Sequence, residues 1–174
     1  MFLNKKDKYE EYTTDDEELE YHFNWKAYII TLCSILVVFF ILNSIFPFCA
    51  VNGPSMYPTI SDGDWLVSCK IIGTVERFDI VTISTPSNGS IIKRVIGLPG
   101  ETVQITDGFV YVNGQKLDDV VSCGTDREGI AVEPIILGEG EYFVLGDNRD
   151  NSMDSREIGA IRYEWISAKI IKWH

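Results

Sequence analysis

Residues 103–114, VQITDGFVYVNG, decide the class of fold. Two runs rich in β-branched and aromatic residues are joined by Asp107-Gly108, and Asn113-Gly114 follows at once. Both dipeptides favour the positive φ angles of tight hairpin turns. Similar β-rich runs occur at residues 65–72, 78–84, 91–96, 130–137 and 142–145, and no 12-residue stretch among them has a clean helical period. We therefore predict a single, mainly β domain over residues 49–174.

A long apolar run precedes this domain. Residues 27–42 read AYIITLCSILVVFFIL, and between residues 25 and 48 the only charge is Lys26. This length is a little above the roughly 20 residues that span a bilayer, with aromatic residues at both ends. A buried core helix or a cleaved signal peptide fits less well, because the run is long and an acidic tail precedes it. The predicted organisation is a tail (1–24), a transmembrane anchor (25–48) and an outer domain (49–174).

The basic residues predict the orientation of the anchor. Lys5, Lys6, Lys8 and Lys26 precede the span, and no Lys or Arg follows it until Lys70. The positive-inside rule therefore places the N-terminus in the cytoplasm and the β domain outside, although the tail carries eight acidic residues. The outer domain is also acidic, with 18 acidic and 11 basic residues. Nucleic acid is not an expected partner, since it requires clustered Lys and Arg.

The composition excludes several kinds of catalytic site. The only two histidines are His22 and His174, so a Ser-His-Asp triad, a Cys-His dyad and a zinc site are all disfavoured. Residues 147–154, DNRDNSMD, are rich in oxygen ligands but lack the glycine and closing glutamate of a calcium loop. A hydrolase built on this domain would have to activate a hydroxyl with an amine or a carboxylate. Cys69 and Cys123 could pair or stay as thiols, and the sequence leaves both open.

Three stretches carry the candidate chemistry. Residues 51–60, VNGPSMYPTI, hold Ser55 in a Gly/Pro-rich loop just after the apolar run. Residues 90–101, SIIKRVIGLPGE, hold Lys93 in an apolar, β-rich environment that disfavours an ammonium ion. Ser90 and Lys93 do not form a penicillin-type S-x-x-K pair, because residues i and i+3 of a strand face opposite sides. Residues 146–159, GDNRDNSMDSREIG, form a polar loop after a predicted strand.

Together these stretches resemble, in order, the sequence boxes of type I signal peptidases, and further segments at residues 62–67 and 77–81 match as well. The single anchor and the compact length are similar to the short forms of Gram-positive bacteria. A lysine at the position of Lys93 is typical of the bacterial type. The resemblance implies a mainly β peptidase domain that needs no cofactor and no metal.

The resemblance also implies roles for individual residues. Ser55 is the expected nucleophile and Lys93 its general base. Ser152 is expected to hydrogen-bond to the lysine amine, and Asp154 and Arg156 to form a bracing salt bridge. The residues expected to shape the substrate pockets are Val51, Met56, Ile60 and Ile92. Gly53 occupies a position where Gram-negative members have a serine that assists the oxyanion, so backbone N–H groups must stabilise the oxyanion here.

The expected substrates are exported preproteins with small residues at positions −1 and −3, and membrane lipid is the other expected partner. Two other classes of protein share features with this sequence. A self-cleaving repressor has a similar Ser-Lys site, but it would need a DNA-binding domain where this chain has the apolar run. The chain could instead be a membrane-anchored β-rich binding module without catalysis, and the activity of such a module would not change on loss of Ser55 or Lys93.

Overall fold

The computed structural model describes residues 24–70, 73–85, 89–121 and 125–171, and the predicted acidic tail lies almost wholly outside them. Helix α1, Trp25–Ile45, begins where Asn24 accepts a hydrogen bond from the Ala27 N–H and contains no buried residue. It ends before Phe46-Pro47, since a residue preceding proline is disfavoured in the α conformation. Within the described ranges, α1 is the one helix long and apolar enough to cross a membrane. Chain contacts divide the protein into two units, Met1–Leu36 and Val37–His174.

The second unit is built mainly from short antiparallel strands. The strands are β1 (Phe48–Ala50), β2 (Trp65–Cys69), β3 (Ile80–Thr85), β4 (Gly89–Gly97), β5 (Thr102–Thr106), β6 (Phe109–Val112), β7 (Gln115–Lys116), β8 (Ile135–Ile136), β9 (Glu141–Leu145), β10 (Ile161–Arg162) and β11 (Ile166–Ile171). A four-residue helix, α2, covers Ser155–Ile158, and 3₁₀ helices cover Gly129–Val132 and Tyr163–Trp165.

The strands form two sheets. The larger has the order β1-β2-β11-β3-β4-β9-β10, and the smaller has the order β7-β6-β5-β8. Every strand pair is antiparallel. The predicted mainly β fold is therefore confirmed.

The β5–β6 hairpin agrees with the prediction from its turn residues. Asp107 and Gly108 both have positive φ, 52° and 78°, and Val103 pairs with Val112 across the hairpin. Glycine adopts this conformation without steric penalty, which explains its place in the turn. One face of the hairpin buries its valines and Ile105 in a core cluster shared with Phe143 and Leu145 of β9.

Two parts of the sheet prediction were wrong. Residues 130–137 were expected to form one strand, but the chain there is a 3₁₀ helix followed by the two-residue β8. Pro134 lies between these elements and has no N–H with which to continue a ladder. Strands β1, β7, β10 and β11 were missed, and of these β11 lies centrally between β2 and β3.

The core beneath the candidate site lies on one face of β3. Val81 and Ile83 point into one apolar cluster, whereas Ile80 points into another that contains Met56 and Ile60. This alternation is the period of two expected for a strand. The second cluster fixes the loop that carries Ser55 against the large sheet.

Candidate active site

Ser55 lies on the loop between β1 and β2, which is fastened at both ends. The Val51 N–H donates to the Asp64 carbonyl at 2.9 Å, and the Gly63 N–H donates back to the Val51 carbonyl at 3.1 Å. Inside the loop, Met56 is almost fully buried and its carbonyl accepts from the Ile60 N–H at 2.9 Å. Buried side chains on either side thus hold the half-buried Ser55 at the surface of the core.

Lys93 comes from β4 and meets Ser55 directly. Its Nζ lies 2.8 Å from Ser55 Oγ, and the residue is only 3% exposed. The pKa of Lys93 is lowered, mainly by burial. The charge of Asp154 raises this pKa, that of Arg156 lowers it, and that of Asp147 raises it. The net direction favours a neutral amine, which can accept a proton from a hydroxyl.

The neighbouring carboxylates are already paired with arginines. Asp154 accepts from Arg156 Nε and Nη2, both at 2.8 Å, and Asp147 accepts from Arg94 Nε and Nη2 at 2.8 and 2.6 Å. Both acids belong to the segment weighed as a calcium loop, and both bind guanidinium groups instead. In the described part of the chain, Lys93 makes no salt bridge. Its closest polar partner is the Ser55 hydroxyl.

The salt bridge of Asp154 is part of a larger brace. Asp154 Oδ2 accepts from the Gly146 N–H at 2.9 Å, and Asp154 Oδ1 caps α2 by accepting from the Arg156 N–H. Arg156 Nη1 donates to Thr125 Oγ1 and to the Arg127 carbonyl, each at 3.0 Å. These bonds tie the loop after β9 to itself and to residues 125–127. Neither residue of the pair contacts Ser55 or Lys93 through a hydrogen bond.

Ser152 is placed differently from the expectation. Its Oγ is buried but has no hydrogen-bond partner among the residues described, so the expected bond to the Lys93 amine is not formed. Ser152 packs closely against the backbone of Gly146, where a Cβ would lie 2.2 Å from Ser152 Oγ and 2.6 Å from the Ser55 carbonyl oxygen. Glycine is required at this position because two site residues approach it closely. Gly146 has no role among the expectations from the sequence, although a glycine between a strand and a polar loop is a recognisable signal.

A groove of about 170 Å³ opens beside Ser55 and Lys93. Three of the expected substrate-binding residues line it, namely Val51, Met56 and Ile92. Ile60 does not line it, because its side chain lies in the cluster beneath the loop. Cys49 and Thr82 also line the groove, although neither is among the residues expected from the sequence; burial raises the pKa of the Cys49 thiol. Cys123 lies outside the described residues, so the structure leaves the question of a Cys69–Cys123 pair open.

The chain matches one family over nearly all of the described residues. Residues 24–173 match the family model described as signal peptidase, peptidase S26. The chain therefore belongs to the signal peptidase family, which is a family of proteases. Its relatives place it with the type I enzymes of Bacillus and Staphylococcus, as the resemblance predicted.

Two relatives illustrate the extent of the similarity. Signal peptidase I V of Bacillus subtilis is 37% identical over 150 residues, which cover 78% of this chain and 89% of the relative. Signal peptidase I T of the same organism is 39% identical over 154 residues, which cover 81% and 78% respectively. A crystal structure of a signal peptidase I from Enterococcus faecalis has 34% identity and a TM-score of 0.49, with 57% of this chain and 99% of that chain covered.

Proposed function

We propose that this chain is a serine endopeptidase that removes signal peptides from exported preproteins with a Ser-Lys dyad. Ser55 is the nucleophile and Lys93 the general base. The observation that carries the proposal is the 2.8 Å separation of Lys93 Nζ and Ser55 Oγ, with the lysine buried. Such proximity satisfies the distance requirement for a nucleophile and its base.

The reaction follows from the protonation state of the lysine. The neutral amine of Lys93 takes the hydroxyl proton of Ser55 as Oγ adds to the scissile carbonyl carbon. The ammonium of Lys93 then gives this proton to the departing amine, which leaves an ester on Ser55. Lys93 next takes a proton from a water molecule as the water oxygen adds to the ester carbonyl carbon, and it returns this proton to Ser55 Oγ as the ester bond breaks. The signal peptide leaves with a free carboxylate, and Ser55 and the neutral amine of Lys93 are restored.

The groove favours an extended substrate with small side chains near the cleaved bond. In the described residues, β4 has β3 as its only strand neighbour before Arg94, where pairing with β9 begins. An extended peptide can add to such a strand edge through backbone hydrogen bonds. The wall formed by Val51, Met56 and Ile92 leaves a narrow apolar space, so alanine at −1 and −3 fits better than a bulky residue.

Membrane anchoring by α1 supports this choice of substrate. The apolar helix would lie in the same bilayer as the apolar segment of a signal peptide, and membrane lipid is thus the second partner. Strand β1 begins at Phe48, three residues after α1 ends at Ile45, so little chain separates the anchor from the domain that carries Ser55. With the basic residues before α1 in the cytoplasm, the domain acts at the outer membrane surface.

The direct test uses the full-length chain in lipid vesicles and a labelled preprotein peptide with alanine at −1 and −3. Ser55→Ala and Lys93→Arg should abolish cleavage, because the first lacks the nucleophile and the guanidinium of the second keeps its proton. Ser61→Ala, on the same loop, and Lys116→Met, at an exposed site, are the matched controls and should cleave normally. A wild-type chain that binds the peptide without cleaving it would instead support the binding module. Substantial turnover by folded Lys93→Arg would refute the dyad.

A further inference from the structure

The geometry points to Asn148 as a positioning residue that aims the oxyanion-binding N–H of Ser55. Asn148 lies on the loop after β9, and none of the roles implied by the family resemblance falls on it. Its side-chain Nδ2 donates to the Pro54 carbonyl at 3.2 Å. Its backbone N–H donates to the Ser55 carbonyl at 3.0 Å. One residue therefore holds the peptide groups on both sides of the nucleophile.

The first of these bonds controls the direction of the Ser55 N–H. The Pro54 carbonyl and the Ser55 N–H belong to one planar peptide unit and, in the trans form, point in opposite directions. Fixing the carbonyl oxygen therefore fixes where the N–H points. The Tyr57 N–H donates to the same oxygen at 3.0 Å, so the Pro54 carbonyl is held by a turn bond and by Asn148 together.

The Ser55 N–H itself is available for the reaction. Across the residues that the structure describes, it donates to no protein acceptor. An N–H beside the attacking Oγ is suitably placed to stabilise the oxyanion that forms on the scissile carbonyl. Gly53 provides no side-chain hydroxyl for this purpose, so the direction of the Ser55 N–H matters more here than in a member with a serine at that position.

Asn148 can serve this purpose because its own position is fixed. Asp147, on one side, is buried and binds Arg94 through two hydrogen bonds. Arg149, on the other side, is buried and donates to Asp119 and to the Gly146 carbonyl. The loop thus transmits the rigidity of one buried and one partly buried ion pair to the peptide groups around Ser55. Asn148 acts through Ser55 and is not a catalytic residue.

The inference rests on the proposed function, and its test uses Asn148→Ala in the full-length chain. This variant keeps the backbone bond to the Ser55 carbonyl and removes only the bond to Pro54. Asn151→Ala is the matched control, since Asn151 is an exposed asparagine of the same loop whose side chain makes no hydrogen bond to any described residue. The measurements are kcat and KM for the alanine peptide, the pH–rate profile, and the affinity for a peptide aldehyde to which Ser55 adds.

We expect kcat of Asn148→Ala to fall roughly 10- to 100-fold, with KM within about twofold of the wild-type value, because an oxyanion donor acts only in the transition state. Complete loss of such a donor lowers kcat about 10²- to 10³-fold. Affinity for the aldehyde should fall in parallel, whereas the midpoint of the pH–rate profile should stay at its wild-type value, since Lys93 is untouched. Asn151→Ala should behave as wild type. If the wild type cleaves the peptide but Asn148→Ala has an unchanged kcat, or differs from the wild type only in KM, the role of Asn148 is refuted while the proposed function stands. A wild type that fails to cleave would overturn the proposed function.

Discussion

Replacing Gly146 with alanine tests how tightly the loop after β9 is fitted to the nucleophile. The added Cβ would lie 2.2 Å from Ser152 Oγ, 2.5 Å from Ser152 Cβ and 2.6 Å from the Ser55 carbonyl oxygen. Non-bonded carbon contacts are comfortable at about 3.5 Å or more, so each of these neighbours must move by about 1 Å. The oxygen of Ser55 is a backbone atom, and rotating a side chain cannot relieve its contact.

Both the stability and the rate should respond. Overpacking of this kind lowers the free energy of unfolding by about 1–3 kcal/mol. A displacement of about 1 Å at a reacting group lowers the rate about 10²-fold. We therefore expect kcat/KM of Gly146→Ala to fall about 100-fold in the fraction of protein that is folded.

The control must be comparably overpacked without a clash against the loop that carries Ser55. At Gly97, a Cβ would lie 2.5 Å from Val103 Cγ2 and 2.7 Å from Leu137 Cδ1, in the core shared by the two sheets. Gly97→Ala should lose comparable stability in urea unfolding and keep its kcat at a temperature where it is folded. Wild-type kcat in folded Gly146→Ala would refute the idea that Gly146 sets the position of Ser55.

Three further outcomes are expected. Because burial lowers the pKa of Lys93, kcat/KM should rise with pH and level off below the usual lysine value of about 10.4, as a pH–rate profile would show. Between the lowered pKa of folded Lys93 and that usual value, the unfolded chain binds more protons than the folded chain, so the free energy of unfolding of the wild type rises with pH. Lys93→Met should be more stable than the wild type at pH values below this window, and the difference should disappear as the pH rises through it. Urea unfolding at several pH values measures both. Thr82→Val should raise the free energy of unfolding by about 1 kcal/mol, measured in the same way, because Thr82 Oγ1 is buried without a partner in the described structure.

The parts of the fold that were predicted correctly depend on local chemistry. The β5–β6 hairpin follows from its turn dipeptide and from residues that pair within a dozen positions. The end of α1 similarly follows from Pro47. In each case the residues that determine the structure are close together in the sequence.

The parts that were missed depend on distant contacts. Strand β11 has its neighbours in β2 and β3, roughly 85 to 100 residues earlier, and the sequence gives no sign of these partners. The 3₁₀ helix at Gly129–Val132 has a similar origin. A Cβ at Gly129 would lie 2.3 Å from the Arg156 carbonyl, so the chain packs there against α2 and does not extend. Tertiary packing outweighed a β-rich composition.

In the candidate site, too, the residues that the sequence indicated differ from those that only the tertiary contacts reveal. Ser55 and Lys93 were recognised through resemblance to a family, because nothing local in either stretch indicates that their side chains meet. Gly146 and Asn148 were assigned no role, since both act through backbone atoms of a loop more than 90 positions away. Contacts of this kind do not depend on a distinctive side-chain chemistry and leave little trace in a sequence motif.

The distribution of buried charge supports the proposed role of Lys93 as a base. Arg94, Arg149 and Arg156 are all buried, and each is paired with an aspartate, respectively Asp147, Asp119 and Asp154. An arginine keeps its proton even when buried, so it retains its carboxylate at any physiological pH. Among the described residues, Lys93 is the only buried cation without a salt bridge, and a lysine can shed its proton. Arg94 and Arg156 therefore offset the charges of Asp147 and Asp154, the two carboxylates that raise the pKa of Lys93. Deprotonation of Lys93 would relieve the unfavourable burial of its charge, and the neutral amine is the form that the proposed role as a base requires.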